Sequence, residues 1–371
     1  MEPMLPEESR FETGLVEVVG GYAELPSGWT VDTPDARDRF DVSRLTRLLR
    51  DHERHGRGWP GSGVDDVLVE VSDTGERMRA NVVVRDGDEE IRAWGSVHDR
   101  AGGRMLFVHI VDRDLPDDVA KVCSDVLFHW AEGQAVAVGS ARGLEVQQID
   151  TGAFEDDARQ HDWLEGAGFD RVRSWWQMKR PVTPDEATLV PSTDKWESEG
   201  VRVRLVGRGA DGMPDHDDLR DVHDVLEQAF RDHFNSREET FDEFVHRLRE
   251  DPGHRWDHWW LAELLDVPDA PQPVGALVAT EVSSATGPNG SYVSYIGVLG
   301  DARGRGVAKS LLSTVIADAA GRGRDRVTLE VDADSPTGAD GLYVGMGWET
   351  SYVTESWHRD VPVTGTPRQQ G

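Results

Sequence analysis

The sequence predicts an α/β protein with mixed (α+β) sheets, arranged as two tandem domains of like architecture. Three observations carry this. The chain has 371 residues, more than one typical domain holds and suited to two. Its patterning switches repeatedly between strand-like apolar runs and helix-spaced stripes, as expected where sheets and helices pack in layers. The two halves also end alike, with LEGAGFDRVRSWWQM at 164–178 matching YVGMGWETSYVTESW at 343–357, a repeat at domain scale.

Taken in order, residues 1–25 are acidic and aperiodic and read as an N-terminal arm. An N-terminal domain is expected over 26–180. It opens with a strand at Gly28–Asp32 and an amphipathic helix at Val42–His52, whereas Val64–Val71 fits either type. Met78–Arg85, Glu90–His98 and Arg104–Val111 alternate or run apolar, as strands do. Val119, Val122, Cys123, Val126, Leu127 and Trp130 repeat at helical spacing. Leu144–Ile149 as a strand, Ala158–Ala167 as a helix and Arg171–Met178 as a strand close this half. Residues 181–200 mix Pro, Ser, Thr and charge without period, a linker signature.

A second domain is expected over 201–362 and repeats that order. Val201–Val206 reads as a strand and Asp218–Phe230 as a helix. Thr240–Arg249 follows as a helix, with Thr240 and Glu243 at capping-box spacing. Trp259–Leu265, Val274–Val282 and Tyr292–Leu299 read as strands. A long helix, the strand Arg326–Val331, a short helix ending near Met346 and the strand Ser351–His358 complete it.

Composition narrows the function. A hydrophobic fraction of 37% with 13 Trp supports folded cores. Seventy acidic residues against forty basic ones disfavour nucleic acid and anionic membrane as partners. No apolar signal-like segment or long apolar run appears, so a cytoplasmic protein is expected. The single Cys123 fits a reducing compartment and reads as a buried thiol. His254 and His258 stand four apart in HRWDH, but no glutamate follows the first and Pro252-Gly253 points to a loop. No metal site is expected.

The chemistry concentrates in SYVSYIGVLGDARGRGVAKSLLSTVIADAAG, residues 291–321. A strand breaks at Gly300-Asp301, passes Arg303-Gly304-Arg305-Gly306 and enters a helix with Val307, Ala308, Leu311, Leu312, Val315, Ile316 and Ala319 on one stripe. Strand, glycine turn and helix start together aim free N–H groups at an anion. Arg303, Arg305 and Lys309 add positive charge in a chain of net charge −30. The nucleotide P-loop pattern G-x-x-x-x-G-K-[ST] is absent. A dinucleotide fingerprint would need glycine where Lys309 stands.

The remaining pattern, R-x-x-G-x-A from Arg303 to Ala308, resembles the pyrophosphate loop of the GNAT acyltransferase superfamily. Ser335–Trp348, SPTGADGLYVGMGW, resembles that family's N-x-x-A-x-x-LY-x-x-x-GF motif, in the expected order and spacing. The whole chain then looks like two tandem GNAT-like domains, an arrangement shared with mycothiol synthases. The resemblance implies acetyl-CoA as cosubstrate, with its pyrophosphate on Arg303, Gly304, Arg305, Gly306, Val307, Ala308 and Lys309. The pantetheine arm would lie along Ile296, Gly297 and Val298, with a Val298 N–H polarising the thioester carbonyl and Gly297 accommodating a bulge. Ser335 stands where the motif has Asn. Tyr343, at the LY position, is the expected acid toward the departing thiolate.

Many family members carry a carboxylate at the position of Tyr292, and this strand has no acid. His233, in RDHFN at 231–235, is the favoured base, with Glu281, Glu330, Asp334 and Asp232 as the other candidates. In the first half the corresponding loop is VDRDLPDDVA, Val111–Ala120, which lacks glycine and carries four Asp. It is expected to repel a pyrophosphate. Two functions follow from the resemblance: an acetyl-CoA-dependent N-acetyltransferase acting on a small-molecule amine, or a non-catalytic acyl-CoA-binding regulator built from two such domains.

Overall fold

The computed structural model describes residues 15–18, 21–72, 79–100, 103–188, 200–210, 212–231, 240–249, 253–266, 271–284, 287–334 and 339–363. The chain divides into two compact units, Met1–Trp175 with Tyr352–Gly371, and Trp176–Ser351.

The first unit begins with a hairpin, β1 (Leu15–Val18) and β2 (Gly21–Glu24), inside the segment whose sequence shows no period. After β3 (Thr30–Asp32) comes α1 (Arg39–Arg57). Asp38 caps α1 by accepting from the Phe40 N–H, and Gly58, at φ 89°, ends it in the left-handed conformation. Val64–Val71, ambiguous by pattern, is the helix α2. The unit continues with β4 (Arg79–Arg85), β5 (Ile91–Asp99), β6 (Arg104–Val111), α3 (Asp117–Arg142), β7 (Val146–Phe154), α4 (Ala158–Gly166) and β8 (Asp170–Pro181). Its strands lie in the order β3-β4-β5-β6-β7-β14, where β14 is Glu349–Pro362.

Side-chain alternation along these strands feeds two cores. Val82, Val84, Ala93 and Val97 pack against Cys123, Val126 and Leu127 of α3. Val83, Trp94 and Ile110 pack under Val42, Leu45 and Leu48 of α1 and Val67 of α2. Each such aliphatic side chain, fully buried, stabilises by about 1.5–3 kcal/mol. Cys123 is buried in that layer, and burial pushes its thiol up to about 12.

The second unit holds the end of β8, β9 (Val201–Leu205), α5 (His216–Phe230), α6 (Phe241–Arg249), β10 (His254–Leu264), β11 (Gln272–Val282), β12 (Gly290–Val298), α7 (Val307–Gly321), β13 (Arg326–Asp332) and α8 (Ala339–Gly345). Its strands lie in the order β8-β13-β12-β11-β10-β9. Trp260, Ala262, Leu277 and Ala279 face Leu311, Leu312 and Val315 of α7. Trp259, Leu261, Ala276 and Val278 face Leu219, Val222 and Phe244 of α5 and α6. The Thr240–Glu243 capping box forms, with the Thr240 N–H and hydroxyl donating to Glu243 at 3.0 and 2.6 Å and the Glu243 N–H to Thr240 Oγ1 at 3.3 Å.

HRWDH is the start of β10 and not a loop, because Gly253 makes the turn and pairing starts at His254 opposite Thr280. His258 is buried and bonded through Nδ1 to Asp257 at 2.6 Å. Among the described residues, no cluster of three His, Cys, Asp or Glu could hold a metal ion.

Candidate active site

The site grows from a strand pair that stops pairing. β12 runs parallel to β13 in the register Ser291↔Val327, Tyr292↔Thr328 and Val293↔Leu329, and the recorded register ends there. On its other edge β12 stays paired with β11 up to Val298↔Gly275. The two inner strands therefore part after Val293. A one-residue register shift lies at this point, between Val278↔Tyr295 and Ala279↔Val293, so Ser294 is the extra residue.

The bulge thus sits at Ser294 and not at Gly297. Gly297 is required for packing: a Cβ there would stand 2.9 Å from Ala229 Cβ and 3.0 Å from Leu226 Cδ2 of α5. Any larger residue would push α5 off the sheet.

Backbone direction follows from the register. The Leu299 N–H donates to Val274 O at 2.8 Å, which makes Leu299 and Val274 a hydrogen-bonded pair. Antiparallel ladders alternate, so Gly297 also faces β11, while the N–H groups of Ile296 and Val298 point to the edge that β13 has left. Both side chains are half-buried.

At the end of this edge stands the glycine loop. Gly300–Ala302 forms a single tight turn, and Gly304 and Gly306 take φ of 78° and 81°. Neither glycine has a neighbour within 4 Å of where a Cβ would lie. Conformation and not crowding selects them, since the left-handed region strains L residues. Gly306 is the N-cap of α7, with no side-chain cap. The N–H groups of Val307, Ala308 and Lys309 open the helix and have no intrahelical acceptor. The loop is solvent-exposed, as are the side chains of Arg303 and Lys309, which have no carboxylate partner among the described residues. Such a helix start is a ready anion seat.

Arg305 behaves differently. Its guanidinium donates to both carboxylate oxygens of Asp266, at 2.6 and 2.7 Å. That pairing holds the Asp266 carboxyl below its usual range and raises the guanidinium. Sequence gave no sign of this partner, which lies beyond the end of β10. The fork clamps the loop, so Arg305→Ala should weaken anion binding by no more than about fivefold, the reach of an exposed ion pair. Calorimetric titration checks this, and a loss above tenfold would instead make Arg305 a direct anion ligand.

Tyr343 lies on α8, only 7% exposed, with its ring edge-on to Trp348 at 5.8 Å between centroids. Burial pushes its phenol up to about 12, so it keeps its proton. Glu330 is the first residue of β13 beyond the last pair with β12. Its side chain is solvent-exposed. Partial desolvation raises its carboxyl, opposed by a hydrogen bond from the neutral Gln177 amide on β8. Glu281 is committed elsewhere, accepting from Arg324 and Asn289, each at 2.8 Å. Asp232, His233 and Ser335 lie outside the described residues.

The first unit carries the same parting, filled with side chains. β6 pairs with β7 only from Arg104↔Gln148 to Phe107↔Thr151. Beyond it, the buried Gln160 amide donates to Gly152 O at 3.2 Å and to His109 O at 3.5 Å, the long limit, linking the two strands. His109 is buried, stacked on Phe128 at 4.6 Å and bonded to Ser124 at 3.0 Å, and burial drives it down to about 3. Arg113, from the loop itself, forks onto the buried Asp157. Asp117 and Asp118 already occupy the first turn of α3. The four aspartates of this loop are legible in the sequence; the plug is not, because its members come from distant segments.

These geometries coincide with what comparison finds. The family described as "Acetyltransferase (GNAT) family" matches residues 219–348. A mycothiol acetyltransferase of Frankia casuarinae is 31% identical over 360 residues, 88% of this chain and 96% of that protein. One of Thermobispora bispora is 30% identical over 198 residues, 52% of this chain, and there the match spans 59% of the relative. The crystal structure of a GCN5-related N-acetyltransferase from Sphaerobacter thermophilus has the same fold, with a TM-score of 0.68 at 22% identity over 91% of this chain and 97% of that one. The chain belongs to the GNAT acetyltransferase family, and it is an acyltransferase built from two GNAT-like halves.

Proposed function

We propose that the protein transfers an acetyl group from acetyl-CoA to the amine of a small molecule, and that the second unit alone binds the coenzyme. One contrast carries this reading. Among the described residues the parting in the second unit has no side-chain bridge across it and lies beside a glycine-built helix start, whereas the first unit fills its own parting with Gln160, His109 and the Arg113–Asp157 pair. The family match to residues 219–348 supports the same placement.

The residues of the second unit fit such a cosubstrate. The open N–H groups of Val307, Ala308 and Lys309 would hold the pyrophosphate, with Arg303 and Lys309 adding charge. The N–H of Val298, on the free edge of β12, would polarise the thioester carbonyl and hold the oxyanion. The amine nitrogen forms its bond to the carbonyl carbon as the C–S bond breaks. The nitrogen's proton passes to Glu330, directly or through water, and Tyr343 donates a hydrogen bond to the departing sulfur. A phenol at about 12 is a weaker acid than a thiol near 8.5, so Tyr343 stabilises the thiolate without having to surrender its proton.

Glu330 replaces the carboxylate that β12 lacks, where Tyr292 stands. It works deprotonated, and its raised carboxyl places the acid limb of kcat/KM above the ordinary glutamate value of 4.5. Glu330→Gln should lower kcat/KM about tenfold, less than the ~10²-fold of an indispensable base because water can relay the proton. It should also abolish that limb. An unchanged pH profile would remove Glu330 from the mechanism.

Thiol release from acetyl-CoA, measured against a panel of small amines, tests the function. Amine-dependent turnover is expected. Tight coenzyme binding with no turnover on any amine, and no effect of Tyr343→Phe, would instead mark a non-catalytic acyl-CoA-binding protein.

A further inference from the structure

A groove with a volume of about 630 Å³ lies in the first unit, between α1 and α2. None of its lining residues belongs to the glycine loop, and the inference below does not depend on the proposed acetyl transfer. The volume is that of a small-molecule site.

Its composition runs against the rest of the protein. The floor is apolar, formed by Val42, Val64 and Leu68. Val64 is 50% exposed, a large aliphatic side chain left open to solvent. Around this floor stand Arg37, Arg39, Arg47, Arg50 and Arg54. Arg47 pairs with Glu90 and Arg54 with Asp51. Arg37, Arg39 and Arg50 have no carboxylate partner among the described residues, in a chain with seventy acids for forty bases. Acids are the commonest neighbours available, so three guanidinium groups without a carboxylate partner around one groove, Arg39 lying over the Phe40 ring, form a local positive field in an otherwise negative protein.

We infer that this groove binds a free amphipathic organic anion, of the medium-chain carboxylate class. Its carboxylate would lie on Arg39 and Arg50, and its hydrocarbon body on Val42, Val64 and Leu68. Guanidinium groups take carboxylates by paired, charge-assisted hydrogen bonds. Covering the apolar floor provides the complementary drive, because exposed apolar patches between polar rims mark ligand grooves. Neither half of the ligand suffices alone: an inorganic anion leaves the floor wet, and a neutral hydrocarbon leaves the arginines unpartnered.

The test uses the full chain and the dye anilinonaphthalene sulfonate, which joins an anionic head to an apolar body. Fluorescence titration is expected to give one saturable site per chain. Sodium decanoate should displace the dye competitively, and decyltrimethylammonium, with the same tail and opposite charge, should not. The double variant Arg39→Glu, Arg50→Glu should weaken dye binding at least tenfold. Val64→Glu, at an exposed position, should do the same from the floor, and keeps the test valid if the arginine variant misfolds. Both variants are checked for native thermal melting. Unchanged dye affinity in either folded variant, or displacement by the cationic amphiphile as effective as by decanoate, would overturn the assignment.

Discussion

Replacing Gly306 by valine is expected to weaken acetyl-CoA binding by about 1–3 kcal/mol, roughly five- to 150-fold. Two causes act together. The residue sits at φ 81°, where a β-branched side chain is strained and the backbone would rotate away. That rotation turns the first N–H groups of α7 off the anion, forfeiting a charge-assisted hydrogen bond. Space is not the obstacle, since a Cβ at Gly306 would meet nothing within 4 Å. Gly306→Ala, which bears the conformational penalty without branching, should therefore fall between the native protein and the valine variant. α7 is anchored by Val307, Leu311, Leu312 and Val315, all buried, so the fold should survive. Calorimetric titration of a folded Gly306→Val protein with native affinity would refute the loop assignment.

Tyr343→Phe should lower kcat by about 10²-fold, within the range for losing one hydrogen-bond donor to charge that develops in a transition state. The KM for acetyl-CoA should stay within about threefold, because in the proposed mechanism the hydrogen bond to sulfur would form only as charge develops there. Phenylalanine keeps the ring against Trp348 and fills the same volume, so thermal stability should barely change. The phenol at about 12 also means that no alkaline limb below about pH 11 arises from Tyr343. A kcat unchanged in the phenylalanine variant would reduce Tyr343 to a packing residue. A raised KM with unchanged kcat would assign it to coenzyme binding.

The parts of this site that the sequence shows are those written in local pattern. Gly304 and Gly306 are legible because only glycine takes φ near 80° without strain, and the stripe from Val307 to Ala319 fixes the helix that follows. The same holds for most strands, whose alternation is imposed by two packed faces. What was not legible depends on partners distant in sequence. The parting of β12 from β13 is a fact of register, with Val293↔Leu329 the last pair, and no residue type announces it. Gly297 invited a bulge reading because strand glycines often mark one, yet α5 packing requires it and Ser294 carries the bulge. HRWDH was expected to be a loop on the strength of Pro252-Gly253, but the turn closes within a residue and β10 begins at once. Helix α3 extends twelve residues past Trp130, to Arg142, because Ala131, Ala135 and Val138 keep a buried stripe of small residues that a Leu-and-Val pattern does not bring out. The plug of the first unit joins residues from β6, α3 and α4 with a loop arginine, so it exists only in three dimensions.

On the proposed function the two units have unequal fates, one open to coenzyme and one closed by its own side chains. Calorimetric titration of the full chain with acetyl-CoA measures this directly. One site per chain is expected, weakened by Gly306→Val and unaffected by Asp118→Asn in the first turn of α3. Two sites of similar affinity, or a single site that survives Gly306→Val and responds to Asp118→Asn, would contradict it.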